Sequence, residues 1–114
     1  MTSTPTFNST TSRQSLTVVA FAGASGVGAT ASGGGNNTAP SVTLTTTRAG
    51  SVVYGVGNDA ERDIARTLGA NQSMVHQWVD SAGRLTFWVQ SRNGTVATAG
   101  SSVTINDTAP GNSL

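Results

Sequence analysis

The stretch Gln72-Ser-Met-Val-His-Gln-Trp-Val-Asp-Ser-Ala-Gly-Arg-Leu-Thr-Phe-Trp-Val-Gln-Ser91 decides the fold. Two runs rich in Val, Trp, Phe and Thr flank a short segment holding Gly83, the pattern of two antiparallel strands joined by a tight turn. With a four-residue loop, Asp80-Ser-Ala-Gly83, Val79 stands opposite Arg84. Met74 then faces Val89, His76 faces Phe87 and Trp78 faces Leu85, and this more apolar set is the expected core face. Val75, Gln77, Val79, Thr86, Trp88 and Gln90 take the other face and are expected outside.

On either side of this hairpin the same strand grammar continues. Ser41–Thr47 alternates, with Val42 and Leu44 one way and Thr43, Thr45 and Thr47 the other, which predicts a half-exposed strand with a threonine face. Arg48-Ala-Gly50 turns the chain, and Ser51–Val56 follows with Val52, Tyr54 and Val56 on one side. Arg92-Asn-Gly94 turns it again before Ser102–Asn106, a last strand carried by Val103 and Ile105. Ser15–Gly23 is apolar on both faces, which predicts a central strand covered twice. In Asn58–Leu68 the apolar residues Ala60, Ile64, Ala65 and Leu68 fall near helical spacing behind a capping Asn58 or Asp59, so one or two helical turns are predicted there. Six strands with short turns indicate an all-β, antiparallel β-sandwich or jelly-roll-like domain over residues 14–110. Residues 1–13 read as an arm and 111–114 as a tail.

Composition narrows the function classes. The chain has 114 residues, enough for one domain. Its 14 Ser, 18 Thr and 14 Gly suit turns and solvent-facing strand positions rather than long helices. Charged residues make up 10% of the chain and the net charge is +1, too little to steer nucleic acid. No cysteine is present for a disulfide or a thiolate metal site, and no apolar run is long enough for a membrane helix. The polar start Met1-Thr-Ser-Thr lacks the basic opening of a signal peptide. Asn8, Asn36, Asn71, Asn93 and Asn106 each open an Asn-x-Ser/Thr triplet, a glycosylation pattern that favours a surface protein.

The sequence holds several decoys. Gly23-Ala-Ser-Gly-Val-Gly-Ala-Thr30 follows an apolar run as a phosphate loop would. Ala29 stands where such a loop needs Lys, however, and the Gly- and Asn-rich continuation will not hold the helix whose N-terminus binds the anion. His76 is the only histidine, and Ser25, His76 and Asp80 share no motif that would fix a triad. Asp59, Glu61 and Asp63 alternate like calcium ligands, but the glycine turn and terminal bidentate acid of a calcium loop are missing. Capping and ion pairs with Arg62 and Arg66 are the plainer role for these acids. The reading is therefore of a non-enzymatic chain with no cofactor and no metal. Trp88, flanked by Gln77, Gln90 and Thr86 on the outer face, is the binding candidate, since an exposed indole beside amides suits either a sugar ring or a protein contact.

Residues 16–109 also resemble a poorly characterised β-sandwich module of large secreted and surface proteins of bacteria, often found beside immunoglobulin-like or fibronectin-like domains. Ser41-Val-Thr-Leu-Thr-Thr-Thr47, Gly50-Ser-Val-Val-Tyr-Gly-Val-Gly-Asn-Asp59, Val75-His-Gln-Trp-Val-Asp80, Thr86-Phe-Trp-Val-Gln90 and Val103-Thr-Ile-Asn-Asp-Thr-Ala-Pro110 carry the resemblance. It implies an extracellular or cell-surface adhesive or spacer role without catalytic residues. The chain departs from the module at Val52 and Ala60, where aromatic residues are common, and in lacking strands before Leu16 and after Pro110. An incomplete sandwich leaves open edges that invite pairing. The expectation is thus a subunit that joins copies of itself, as a fibre or surface layer, by strand exchange or edge pairing. Phe7 in Thr4-Pro-Thr-Phe-Asn-Ser-Thr-Thr11 is the expected anchor of a donated arm. The alternative is a carbohydrate-binding or adhesion module from a larger secreted protein.

Overall fold

The computed structural model describes Thr4, residues 13–35 and residues 38–109. Among these residues there is no helix, and six strands are arranged in two sheets. The strands are β1 (Ser41–Thr45), β2 (Tyr54–Asp59), β3 (Thr67–Leu68), β4 (Gln72–Asp80), β5 (Leu85–Arg92) and β6 (Ser102–Thr108). One sheet has the order β1-β6-β3 and the other β2-β5-β4, and every pairing is antiparallel. The chain crosses between sheets at β1–β2, β2–β3, β3–β4 and β5–β6, so only the β4–β5 hairpin stays within one sheet. The domain is all-β and of sandwich type.

β1 and its partner follow the predicted alternation. Val42 lies opposite Ile105 and Leu44 opposite Val103, while Thr43 and Thr104 face outward with their hydroxyls 2.8 Å apart. The β-branched residues fit the pleat, and the threonine pair joins the strands across the wet face. Val53, Val96 and Val103 are buried together, with Leu44 and Ile105 against them. Three buried valines contribute only about 5–9 kcal/mol before chain entropy is counted. This is a thin core, so much of the interior must be held by polar contacts.

Four expectations need correction. First, residues 15–23 form no strand. They lack backbone hydrogen bonds to any described residue, and Leu16, Val18, Val19 and Phe21 are 38–49% exposed. Nothing in the sheets leaves a central slot for them: β5 and β6, which occupy the centres, are each already paired on both sides. Second, no helix forms over residues 58–68. Asp59 Oδ1 accepts the Glu61 N–H, bending the chain, and the Thr86 hydroxyl then holds the next residues extended. It lies 2.8 Å from the Arg62 carbonyl and 3.1 Å from that of Ile64, and it accepts the Ile64 N–H at 3.0 Å. Gln77 Oε1 takes the Arg66 N–H. Side chains of β4 and β5 thus satisfy backbone groups that a helix would have satisfied itself.

Third, the hairpin register differs. Asp80 pairs with Leu85, so the loop is Ser81–Arg84, and Trp78 faces Phe87 while His76 faces Val89. A bulge at Val75 shifts the remainder, bringing Met74 opposite Gln90. Fourth, the two faces are exchanged. Thr86, Trp88 and Gln90 point inward and are buried, while Trp78 and Phe87 stack on the outer face with ring centroids 5.6 Å apart. The reason lies on β2. Its inward positions are Gly55 and Gly57, and Gly57 sits directly across from Trp88. A Cβ on Gly57 would lie 2.2 Å from the indole, so the glycine makes the space that the ring fills. The outward positions are then the apolar ones, with Tyr54 39% and Val56 83% exposed, and Val52 just before the strand is 48% exposed.

Candidate functional site

The inner faces of β5 and β6 meet in a polar seam. Trp88 donates its indole N–H to Gln90 Oε1 at 2.8 Å. Gln90 Nε2 donates to Gln72 Oε1 at 2.6 Å and to the Asn106 carbonyl at 3.1 Å, tying one sheet to the other. Gln72 Nε2 donates to Asn106 Oδ1, and Asn106 N–H returns a bond to Gln72 Oε1. Gly69 permits this, because a Cβ there would stand 2.1 Å from Asn106 Oδ1. Each buried amide finds partners, which is the condition for polar groups to be tolerated inside.

Arg66 closes the seam at the other end. Its guanidinium lies 4.6 Å from the Trp88 ring centroid. Nε donates to Asp107 Oδ1 at 2.5 Å and Nη1 to Asp59 Oδ2 at 3.2 Å. The Arg66 side chain is 2% exposed and that of Asp107 5%, so this pair is desolvated. Burial raises the Asp107 carboxyl above its usual range, against the opposing pull of the Arg66 bond and charge. The arrangement can hold charge in a dry interior and lock two sheets together. It contains no nucleophile bonded to a base.

Beside the seam, between the edges β1 and β2, runs a cleft of about 760 Å³. Val42, Leu44 and Ile105 form one wall and Gly55 and Gly57 the opposite one. Residues 29–35 flank it, with Gly33 pressed so close to Val42 that a Cβ would come within 3.1 Å. Arg62 and Arg66 also line it.

The structure scatters the sequence candidates. Trp88, Gln90 and Thr86 are 6%, 1% and 0% exposed, and Gln77 is half-buried with its oxygen committed to the chain at Arg66. The expected surface patch is therefore interior, and the sugar-stacking reading loses its exposed indole. Ser25 accepts a bond from Arg48, His76 is exposed on β4, and Asp80 is buried beside Arg13, so no hydrogen bond joins the three. Asp59 is taken by Arg66 and by the Glu61 N–H, Glu61 is exposed and Asp63 half-buried. Among the described residues no group of three His, Cys, Asp or Glu side chains could hold a metal ion. Asn71 and Asn93 are exposed, Asn106 is engaged within the seam, and Asn8, Asn36 and Phe7 lie outside the described residues. Among the described residues no helix is long and apolar enough to cross a membrane.

Sequence reasoning missed Gln72, Asn106 and Asp107 and the buried role of Arg66. One signal was present. Alternate glycines at 55 and 57 in a β-patterned run mark a face that another bulky group approaches. No family model matches the chain, and no curated protein or solved structure was found to be similar to it.

Proposed function

We propose that the chain is a structural, non-enzymatic module that joins further copies of itself through the β2 edge, and that it works outside the cell, in keeping with the surface-protein resemblance. One observation carries this reading. Residues 15–22 are apolar on both faces and make no backbone hydrogen bond to a described residue, yet Phe21 packs edge-on against Tyr54, 5.4 Å between ring centroids. They lie beside a sheet that ends at β2 after three strands. Tyr54 and Val56 stand exposed on that edge strand, and Val52 just before it. Unpaired backbone next to apolar side chains is the arrangement that recruits another strand.

The scale agrees. With side-chain surfaces of roughly 150–200 Å² each, the exposed fractions of Leu16, Val18, Val19, Phe21, Val27, Val52, Tyr54 and Val56 leave on the order of 800 Å² of apolar area. One partner in an ordinary specific interface buries about 800 Å². A single chain would hide this surface only by ordering residues 15–22 onto its own edge, whereas a second copy offers both an edge and an apolar segment.

Sedimentation velocity over a hundredfold concentration range tests the proposal. The expected outcome is a weight-average mass that rises with concentration, with polymers visible by negative-stain microscopy. Val56→Lys places a charge on the edge and should lower the association at least tenfold while leaving the far-ultraviolet circular dichroism unchanged. A monomer at every concentration would refute the reading.

A further inference from the structure

We propose that the cleft between β1 and β2 is a binding site for an amphiphilic monocarboxylate, held by Arg62. Arg62 lines this cleft and is only 7% exposed. Its carbonyl accepts from Thr86, but no acceptor among the described residues takes its guanidinium. Of the carboxylates that line the cleft, Asp107 and Asp59 are bonded to Arg66, with Asp59 also bonded to the chain at Glu61, and the exposed Glu61 side chain makes no ion pair with Arg62. The stem of the Arg62 side chain is packed while its guanidinium nitrogens stay open to solvent, so the group is placed to take an anion by two parallel bonds. Arg66, a few residues away, shows what this fold does with a guanidinium that has its partners.

The walls select the kind of anion. Asp59, Glu61 and Asp107 also line the cleft, so a doubly charged phosphate would meet three carboxylates against one uncommitted cation. A single carboxylate matches the fork of Arg62 and, with half the charge, meets about half of that repulsion. Val42 and Leu44, with Ile105 and Trp88 packed over Gly55 and Gly57, give the cleft apolar lining for the rest of the ligand. The volume, about 760 Å³, lies within the usual range for small-molecule sites. The carboxylate can belong to a free amphiphile or to the end of a peptide; the chemistry at Arg62 is the same.

The test uses the full chain and four titrants followed by calorimetry and amide chemical shifts: octanoate, octanamide, inorganic phosphate, and the peptide acetyl-Val-Ala-Val-Leu with a free carboxyl end. Saturable binding of octanoate or the peptide is expected, with shifts concentrated at Gly55, Gly57 and Ile105. The tighter of the two identifies the source. Octanamide and phosphate should bind at least tenfold more weakly. Arg62→Met should reduce carboxylate affinity about ten- to hundredfold, as loss of a charged hydrogen-bonded partner does. The same variant keeps the packed stem and breaks no bond of the guanidinium to a described residue, so it should unfold at about the same urea concentration as the parent, which keeps the comparison between folded proteins. Equal affinity in Arg62→Met and parent, preference for phosphate or octanamide, or no binding up to the solubility limit would each overturn the proposal.

Discussion

Replacing Gly57 by Ala isolates the contact that sets the inner face. The new Cβ would lie 2.2, 2.4 and 2.8 Å from three indole carbons of Trp88, where carbon atoms normally rest about 3.5–4.0 Å apart. The strand or the ring must therefore move by more than an ångström. The ring is not free to slide, because its N–H is bonded to buried Gln90 and the Arg66 guanidinium stacks on it. Overpacking of this kind costs about 1–3 kcal/mol and occasionally more. Gly57 does not have a positive φ, so the usual benefit of Gly→Ala in the unfolded chain, about 0.4–1 kcal/mol, works in the opposite direction. The net expectation is a loss of about 2 kcal/mol, or a Tm lower by roughly 10 °C for a domain of this size. Urea and thermal unfolding followed by circular dichroism measure it. Gly34→Ala, where a Cβ would meet nothing within 4 Å, is the control and should change stability by less than about 0.5 kcal/mol. A second arm adds Trp88→Leu: with the ring gone, Gly57→Ala should become neutral, a coupling visible in a double-mutant cycle. Undiminished stability of Gly57→Ala in the Trp88 background would refute the placement of the indole on the β2 backbone.

Three further outcomes follow from the seam. Arg66→Met strands Asp59 and Asp107 without their cation and should cost about 3–5 kcal/mol in urea unfolding, far more than Arg48→Met on the exposed turn. Burial holds the Asp107 carboxyl above its ordinary value of 3.8, so the folded chain keeps a proton that the unfolded chain has released. The stability from this group is therefore fully present below pH 3.8 and is lost as pH rises through the higher folded value. Urea midpoints measured across that window should fall with rising pH in the parent and be flatter in Asp107→Asn. Gln90→Leu removes the bond to Trp88 and both bonds that reach Gln72 and Asn106, and should destabilise by about 2–3 kcal/mol, read as a lower urea midpoint at unchanged slope.

The legible and illegible parts of this chain divide along physical lines. Alternation in Ser41–Thr47 predicts the strand, which forms over Ser41–Thr45, and its inward residues, because β1 has one wet face and one dry one. The hairpin of β4 and β5 was visible for the same reason, and the partition of its residues into two faces near the turn was right. Which face went inside was not, because apolarity ranks Leu85, Phe87 and Val89 above Thr86, Trp88 and Gln90. The interior is instead chosen by complementarity: only the second set finds Gly57, Asn106 and the carbonyls of Arg62 and Ile64 as partners. Those partners come from distant positions in the chain, so no local pattern contains them. The same cause defeated the helix expected after Asn58, whose backbone groups are bonded by Thr86 and Gln77 across the sandwich. Composition predicts a buried strand over Ser15–Gly23, yet Leu16, Val18, Val19 and Phe21 stand about half exposed. That mismatch between an apolar segment and its surroundings is what the assembly proposal explains.

Hydrogen–deuterium exchange measured at several protein concentrations tests the central claim most directly. If copies join through the β2 edge, amides in residues 16–22 and 52–58 should exchange quickly in dilute protein and gain protection as concentration rises, while those of β5, paired on both sides, stay protected throughout. Protection that does not change with concentration, or that appears only at β3 and β4, would contradict it.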